Sequence, residues 1–275
     1  MSSAYLLISH GSRDQRPHLA MEKLAELVGA KLATRRIYWG VGRVGEYDLY
    51  RSTSKSVNAN ITAPAVVTSS SGFPLVGTAI LELAEVPLHE QIRQFASLAL
   101  AAGYNQLQLL PVFLLPGVHV SEDIPAEVAL AQQSLGGAIK LKLLPYLGTH
   151  PGLRIIMASQ LVGIEVDAKI LLSHGTRRVN GNQPVEAMAD YLGAVAAYFS
   201  VSPSLEEQVQ VLATAGYRQI MILPYFFFCG GITDAIAQMV AQIQLHSPKL
   251  SLRLGEPIGA SDPLADLIVD LVEQK

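Results

Sequence analysis

Cysteine is almost missing from this chain: Cys229 is the single one among 275 residues. That excludes a disulfide framework and a cysteine-held iron–sulfur cluster, and it fits a reducing compartment. A charge imbalance is missing as well. The net charge is −3, from 20 basic and 23 acidic residues, which gives no broad basic surface for nucleic acid. Long apolar runs are missing too. The longest, such as Leu109 to Val118, are interrupted by prolines and fall short of the roughly 20 residues a bilayer demands. The opening Met1-Ser2-Ser3-Ala4-Tyr5 carries no basic patch, so a signal peptide is not expected. These absences point to a soluble, cytoplasmic protein without a membrane or nucleic-acid partner. What the chain has is hydrophobicity, at 50% of its residues, enough for a sizeable core in one large or two modest domains.

The apolar residues are arranged as a repeat. Leu6-Leu7-Ile8-Ser9-His10-Gly11-Ser12-Arg13 is echoed by Ile170-Leu171-Leu172-Ser173-His174-Gly175-Thr176-Arg177. Each copy is a short apolar run, as expected of a strand buried on both faces. Each stops at His-Gly, where glycine permits a sharp turn and a close approach to a ligand. Further matches follow in step: Ala102-Gly103-Tyr104 with Ala215-Gly216-Tyr217, and Leu109-Leu110-Pro111 with Ile222-Leu223-Pro224. The copies lie farther apart at the first strand than at the third, and most of the excess is an insertion over residues 35–74. That segment is rich in Gly, Ser, Thr and Asn, with Arg36, Arg43, Arg51 and Lys55 interspersed. It reads as a surface flap, with room for a short hairpin within Val57 to Thr68. The expected architecture is α/β: two pseudo-symmetric Rossmann-like, flavodoxin-like domains, each with a roughly four-stranded parallel sheet flanked by helices. The N-terminal domain is expected over 1–148 and a degenerate repeat over 149–275, with the last helix of each half packing on the other.

Local signals supply the elements. Strands are expected over residues 4–9, Leu75–Glu82, Leu107–Leu115 and Ile139–Leu144. Helical spacing runs from Pro17 to Thr34 through Leu19, Leu24, Leu27, Val28 and Leu32. Ser121-Glu122-Asp123 offers a hydroxyl cap and first-turn acids for another helix.

The polar groups stand where parallel sheets place their sites, at the carboxyl ends of strands. His10 ends the first strand, Glu82 the second, and His119 follows the Pro116-Gly117 turn after the third. With the first strand central, its neighbours lie roughly 5 Å away on either side, and the three groups converge. Two imidazoles and a carboxylate suit a first-row divalent ion and proton transfer near neutral pH. The second half keeps His174 but places residues near Ala197 and at Ile232 where the other two belong. One working site per chain is expected, in the first half, facing a mostly apolar wall that includes Tyr225, Phe226, Phe227 and Phe228.

On these residues the chain resembles the long-form class II chelatases of the sirohydrochlorin family, the ferrochelatases and anaerobic cobaltochelatases of sirohaem and cobalamin synthesis. The resemblance rests on Ser9-His10-Gly11-Ser12-Arg13, Leu81-Glu82-Leu83, Pro111-Val112-Phe113-Leu114-Leu115-Pro116-Gly117-Val118-His119-Val120 and the degenerate Tyr225–Gly231 stretch. It implies insertion of Fe²⁺ or Co²⁺ into sirohydrochlorin, a carboxylate-rich tetrapyrrole. His10, Glu82 and His119 are then the metal-handling and proton-accepting groups. Ser12, Arg13, Gly117 and Val118 are the expected substrate contacts. The ion is a substrate; no permanently bound cofactor is expected. Because duplication supplies both halves, the chain is expected to act as a monomer. Two other readings compete: a non-catalytic tetrapyrrole or metal carrier, and a histidine phosphohydrolase. Ser9 stands where the latter wants an arginine.

Overall fold

The computed structural model of the chain describes residues 3–39, 65–66 and 74–274. The first half runs β1 (Ser3–Ser9), α1 (Gln15–Trp39), β2 (Ala65–Val66), β3 (Val76–Ile80), α2 (Leu88–Ala101), β4 (Gln106–Pro111), α3 (Ile124–Leu135), β5 (Lys140–Leu143) and α4 (Leu153–Ser159). The second runs β6 (Ala168–Ser173), α5 (Gln183–Leu192), β7 (Val195–Tyr198), α6 (Leu205–Thr214), β8 (Gln219–Pro224), α7 (Gly231–His246), β9 (Ser251–Leu254) and α8 (Asp262–Glu273).

Each apolar run ahead of His-Gly lies inside its sheet. The first sheet has the order β2-β3-β1-β4-β5 and the second β7-β6-β8-β9. Every pairing is parallel except the short edge pair β2–β3. Ala4, Leu6, Leu7 and Ile8 of β1 are sealed from solvent, as are Ile170, Leu171 and Leu172 of β6. Side chains alternate along a strand, so β1 feeds two cores. Leu6 and Ile8 pack with Ile92 and Phe95 of α2 and with Leu107 and Leu109 of β4. Tyr5 and Leu7 pack with Met21, Leu24 and Val28 of α1 and with Leu264, Ile268 and Val272 of α8, in one cluster that continues into Leu171 and Leu223 of the second sheet. Each fully buried Leu or Ile contributes about 1.5–3 kcal/mol, so this shared core ties the halves together.

The exchange of terminal helices is present. Helix α8 lies along α1, with Lys31 within 3.2 Å of Asp262 and 2.9 Å of Asp266, and Arg35 within 2.6 Å of Glu273. Helix α4 packs against α5 and α8.

Several boundaries differ from the sequence reading. Helix α1 continues through Trp39, into the stretch read as insertion. Leu19, counted among its apolar stripe, is 62% exposed. Of the expected hairpin, Ala65–Val66 pairs antiparallel with β3; the remainder, with Arg43, Arg51 and Lys55, lies outside the described residues, as does the Arg36 side chain. Strands β3 and β4 stop at Ile80 and Pro111, short of Glu82 and Leu115. The polar groups therefore sit on the loops beyond the strands. Finally, Ser121 is not a helix cap. Its Oγ donates to the Gly117 carbonyl at 2.9 Å, and a wide turn over His119–Asp123, closed by the Ile124 amide on the His119 carbonyl, leads into α3.

Candidate metal centre

His10 is the first residue past β1, and Gly11 carries φ +106°. A Cβ at Gly11 would overlap the Glu82 carbonyl oxygen. Only glycine lets the loop after β1 lie against the loop after β3. The two loops are laced further by backbone: the Leu81 amide donates to the Ser9 carbonyl at 2.9 Å and the Glu82 amide to the His10 carbonyl at 2.8 Å. Gln91, buried on α2, fastens the same spot. Its Oε1 accepts from the Ile80 amide at 3.0 Å, and its Nε2 donates to the Ile80 and Val86 carbonyls at 2.8 and 2.9 Å. His10 and Glu82 thus ride on one braced platform.

His119 comes from the third strand end. The Val112 amide donates to the Ile8 carbonyl at 2.7 Å, and the Gly148 amide to the Phe113 carbonyl at 2.8 Å. Gly148 must be glycine, because a Cβ there would meet the Leu114 carbonyl. Beyond Leu115 the Gly117 carbonyl accepts the Val120 and Ser121 amides, each at 3.1 Å, which turns His119 back toward Glu82.

The three groups converge. His10 Nε2 is 3.8 Å from Glu82 Oε2, and His119 Nδ1 is 3.9 Å from Glu82 Oε1. The imidazole rings meet edge to face at 90°, with centroids 4.6 Å apart. One donor atom from each residue falls within 4.8 Å of the others, a spread that a single ion with bonds of about 2 Å can gather. Phe113 flanks both rings, at 6.3 Å from His10 and 6.4 Å from His119. The side chains of His10, Glu82 and His119 are 51%, 48% and 30% exposed, so the site is open. Three donors with open access are what a transient metal site needs; a closed set of four would retain the ion.

Of the expected substrate contacts, Arg13 is exposed, and among the described residues nothing pairs with its guanidinium. Ser12 Oγ accepts the Asp14 amide at 3.0 Å, which shapes the loop after His10. Gly117 and Val118 lie on the His119 loop; a Cβ at Gly117 would meet nothing within 4 Å, and Val118 is 39% exposed. Leu83, next to Glu82, is 57% exposed and holds φ +64°.

The second half reaches the rim. Arg16 binds Asp14 and, across the halves, Asp234 of α7, each at 2.5 Å. The Arg16 guanidinium holds the Asp14 carboxyl down to about 2 and lowers the Asp234 carboxyl as well, so the Arg16–Asp14 pair stays ionised through mildly acid pH and is lost only as the pH falls toward that value. Arg178, in the loop after His174, meets Glu122 at 3.4 Å. In the second half itself, the counterpart of Glu82 is Ser200 rather than a residue near Ala197. The Ser200 amide donates to the His174 carbonyl at 2.9 Å, as Glu82 does to His10. The difference arises because Glu82 lies past its strand end. Ser200 Oγ also lies 3.1 Å from His174 Nδ1. Ile232 falls at the start of α7, so this copy lacks the carboxylate and the second imidazole. Of the Phe226–Phe228 run, Phe227 is buried in the shared core and the other two are half-buried.

Sequence reasoning missed Gln91 and the Arg16–Asp234 bridge, which no local pattern announces. It also missed the partner of His119: Asp123 Oδ2 lies 2.7 Å from His119 Nδ1. The spacing of four residues was a readable signal. Two other concavities, of about 510 and 580 Å³, are lined by residues such as Ile164, Gln219, Met221 and Arg253 and share nothing with the site.

Comparison with known proteins places this chain in a family. SirB from Bacillus subtilis with Fe³⁺ superposes with a TM-score of 0.68 at 18% identity, covering 99% of this chain and 94% of that one. The chelatase SirB from Bacillus subtilis subspecies spizizenii in complex with cobalt gives 0.65, again at 18% identity and covering 99% and 94%. At these identities the likeness concerns the fold. The CbiX family model matches twice, over residues 52–162 and 168–275. The chain belongs to the CbiX family. The paired CbiX matches fall one on each half of the repeat. Glu82 and His119 lie inside the first; His10 precedes it and is joined to them by the β1–β3 and β1–β4 pairings. Curated relatives include a sirohydrochlorin cobaltochelatase of Priestia megaterium, 24% identical over 216 residues (73% of this chain, 69% of that protein). A sirohydrochlorin ferrochelatase of the same organism is 22% identical over 208 residues (71% and 76%).

Proposed function

We propose that this CbiX-family chain is a sirohydrochlorin chelatase, inserting Fe²⁺ or Co²⁺ into the macrocycle at the His10–Glu82–His119 site. The observation that carries the reading is the convergence of two imidazoles and one carboxylate on an open sheet edge, donors within 4.8 Å. The names of the Priestia megaterium relatives supply the substrate.

Charge bookkeeping assigns the roles. Insertion of a dication releases two N–H protons from the macrocycle. An imidazole lone pair can hold the ion or accept a proton, and not both at once. Glu82, between the rings, offsets the charge of the incoming ion and accepts a proton as the ion leaves. An open set of three donors keeps the ion available for transfer to four ring nitrogens. Exposed Leu83 and Val118 flank the donors in sequence and offer apolar contact to a macrocycle face. Arg13, with no partner among the described residues, can hold a substrate carboxylate through its fork; Ser12 and the Gly117–Val118 turn complete the expected contact set. The working domain is taken as 1–148 and the degenerate repeat as 149–275. The chain is proposed to act as a monomer in the cytoplasm, without a resident cofactor. Among the described residues no helix is long and apolar enough to cross a membrane.

The test is metallation of sirohydrochlorin followed by absorbance, with Fe²⁺, Co²⁺ and Ni²⁺ supplied separately. The expected result is a rate above the spontaneous one for iron or cobalt. Binding of macrocycle and ion with no acceleration for any metal would instead describe a carrier.

A further inference from the structure

The two imidazoles of the site are held in different ways. The His10 ring is half exposed, and the described residues place no hydrogen-bond partner on either of its nitrogens; Glu82 Oε2 lies 3.8 Å from its Nε2. The His119 ring is bound at Nδ1 by Asp123 Oδ2 at 2.7 Å. The same nitrogen is 3.9 Å from Glu82 Oε1, beyond hydrogen-bond reach, so its bond goes to Asp123. Both residues of the pair sit in one wide turn, closed by the Ile124 amide on the His119 carbonyl. Such turns let an i, i+4 pair face each other at the entry of a helix and recur at functional sites.

From this geometry we infer that Asp123 is a positioning residue, which fixes His119 as the ion-gripping ring through Nε2 and leaves His10 free to turn between ion and macrocycle. A carboxylate accepts hydrogen bonds and cannot donate them, so the proton of the His119 ring resides on Nδ1 and the lone pair on Nε2. A metal-binding histidine braced in this way keeps its tautomer and orientation and binds more strongly. His10 lacks such a brace and can rotate without breaking a bond. The inference rests on the metal-handling reading of the site and adds a division of labour: one fixed ring and one mobile ring.

The test uses the full-length protein and Co²⁺ alone, titrated and followed by the visible spectrum of the bound ion, with wild type, Asp123→Ala, Asp123→Asn, His119→Ala and the double variant His119→Ala/Asp123→Ala. Asp123→Ala is expected to weaken Co²⁺ binding by about 10–100-fold. Asp123→Asn keeps an acceptor oxygen for Nδ1 and is expected to recover part of that loss. In the His119→Ala background, adding Asp123→Ala should cost nothing further. The opposite arrangement predicts the opposite sign: if the ion used Nδ1, removing Asp123 would free that nitrogen and leave affinity unchanged or raised. Either of those results, or an equal loss with and without His119, would overturn the assignment. A wild-type protein that bound no Co²⁺ would instead overturn the site itself, so the two failures are distinguishable.

Discussion

Alanine in place of His119 is expected to slow sirohydrochlorin metallation by about 100-fold or more, and alanine in place of His10 to do the same. The two rings supply both of the site's nitrogen donors, and Glu82 cannot hold a first-row ion between them alone. The loss should appear in the absorbance assay as a rate near the spontaneous one. It should not appear in thermal unfolding. Both rings project from loops past the strand ends, at 51% and 30% exposure, and substitutions at such positions shift stability by about 0.5 kcal/mol or less. His119→Ala would lose the hydrogen bond to Asp123 and the ring contacts with His10 and Phe113. A wild-type rate in either variant contradicts the assigned site, and a joint loss of rate and melting temperature would make the residues structural.

Gly11→Ala is expected to damage fold and activity together. At φ +106° an alanine is strained, at a cost of about 1–3 kcal/mol, and its Cβ would overlap the Glu82 carbonyl. The backbone must then separate the two loops, which breaks the Glu82-amide bond to the His10 carbonyl. The melting temperature is expected to fall by roughly 5–10 °C, and Co²⁺ affinity should fall with it because His10 and Glu82 no longer share a platform. Gly117→Ala is the control. A Cβ there meets nothing, so the fold should be untouched, and any loss of activity would report contact with the macrocycle. If Gly11→Ala melted like wild type, the close approach of the two loops would not be what holds the site.

Most of the fold was legible because its strands are short apolar runs ending in punctuation. Ser-His-Gly marks the ends of β1 and β6, and the Ala-Gly-Tyr stretches mark the turns before β4 and β8. The duplication made each half a check on the other. The site was legible for a related reason: a parallel sheet with β1 at its centre leaves few places for residues that follow β1, β3 and β4. What escaped was long-range or depended on a residue or two of register. Gln91 reads as an ordinary helix residue until its amide is seen bonding Ile80. The counterpart of Glu82 was misplaced because Glu82 lies beyond its strand, where apolar alternation no longer counts positions. Ser121 read as a cap because Ser-Glu-Asp commonly opens a helix. Here the chain has already begun to turn at His119, and the hydroxyl bonds backward to Gly117. That wide turn is what brings Asp123 onto His119.

One open centre, formed by His10, Glu82 and His119, is proposed to take the ion. The most direct measurement is anomalous scattering at the cobalt edge from crystals grown with Co²⁺. The predicted result is one strong peak lying between the three side chains, with His119 Nε2 and His10 among its ligands. A peak elsewhere, on His174 or on the acidic face of α8, with none at the His10–Glu82–His119 group, would contradict it.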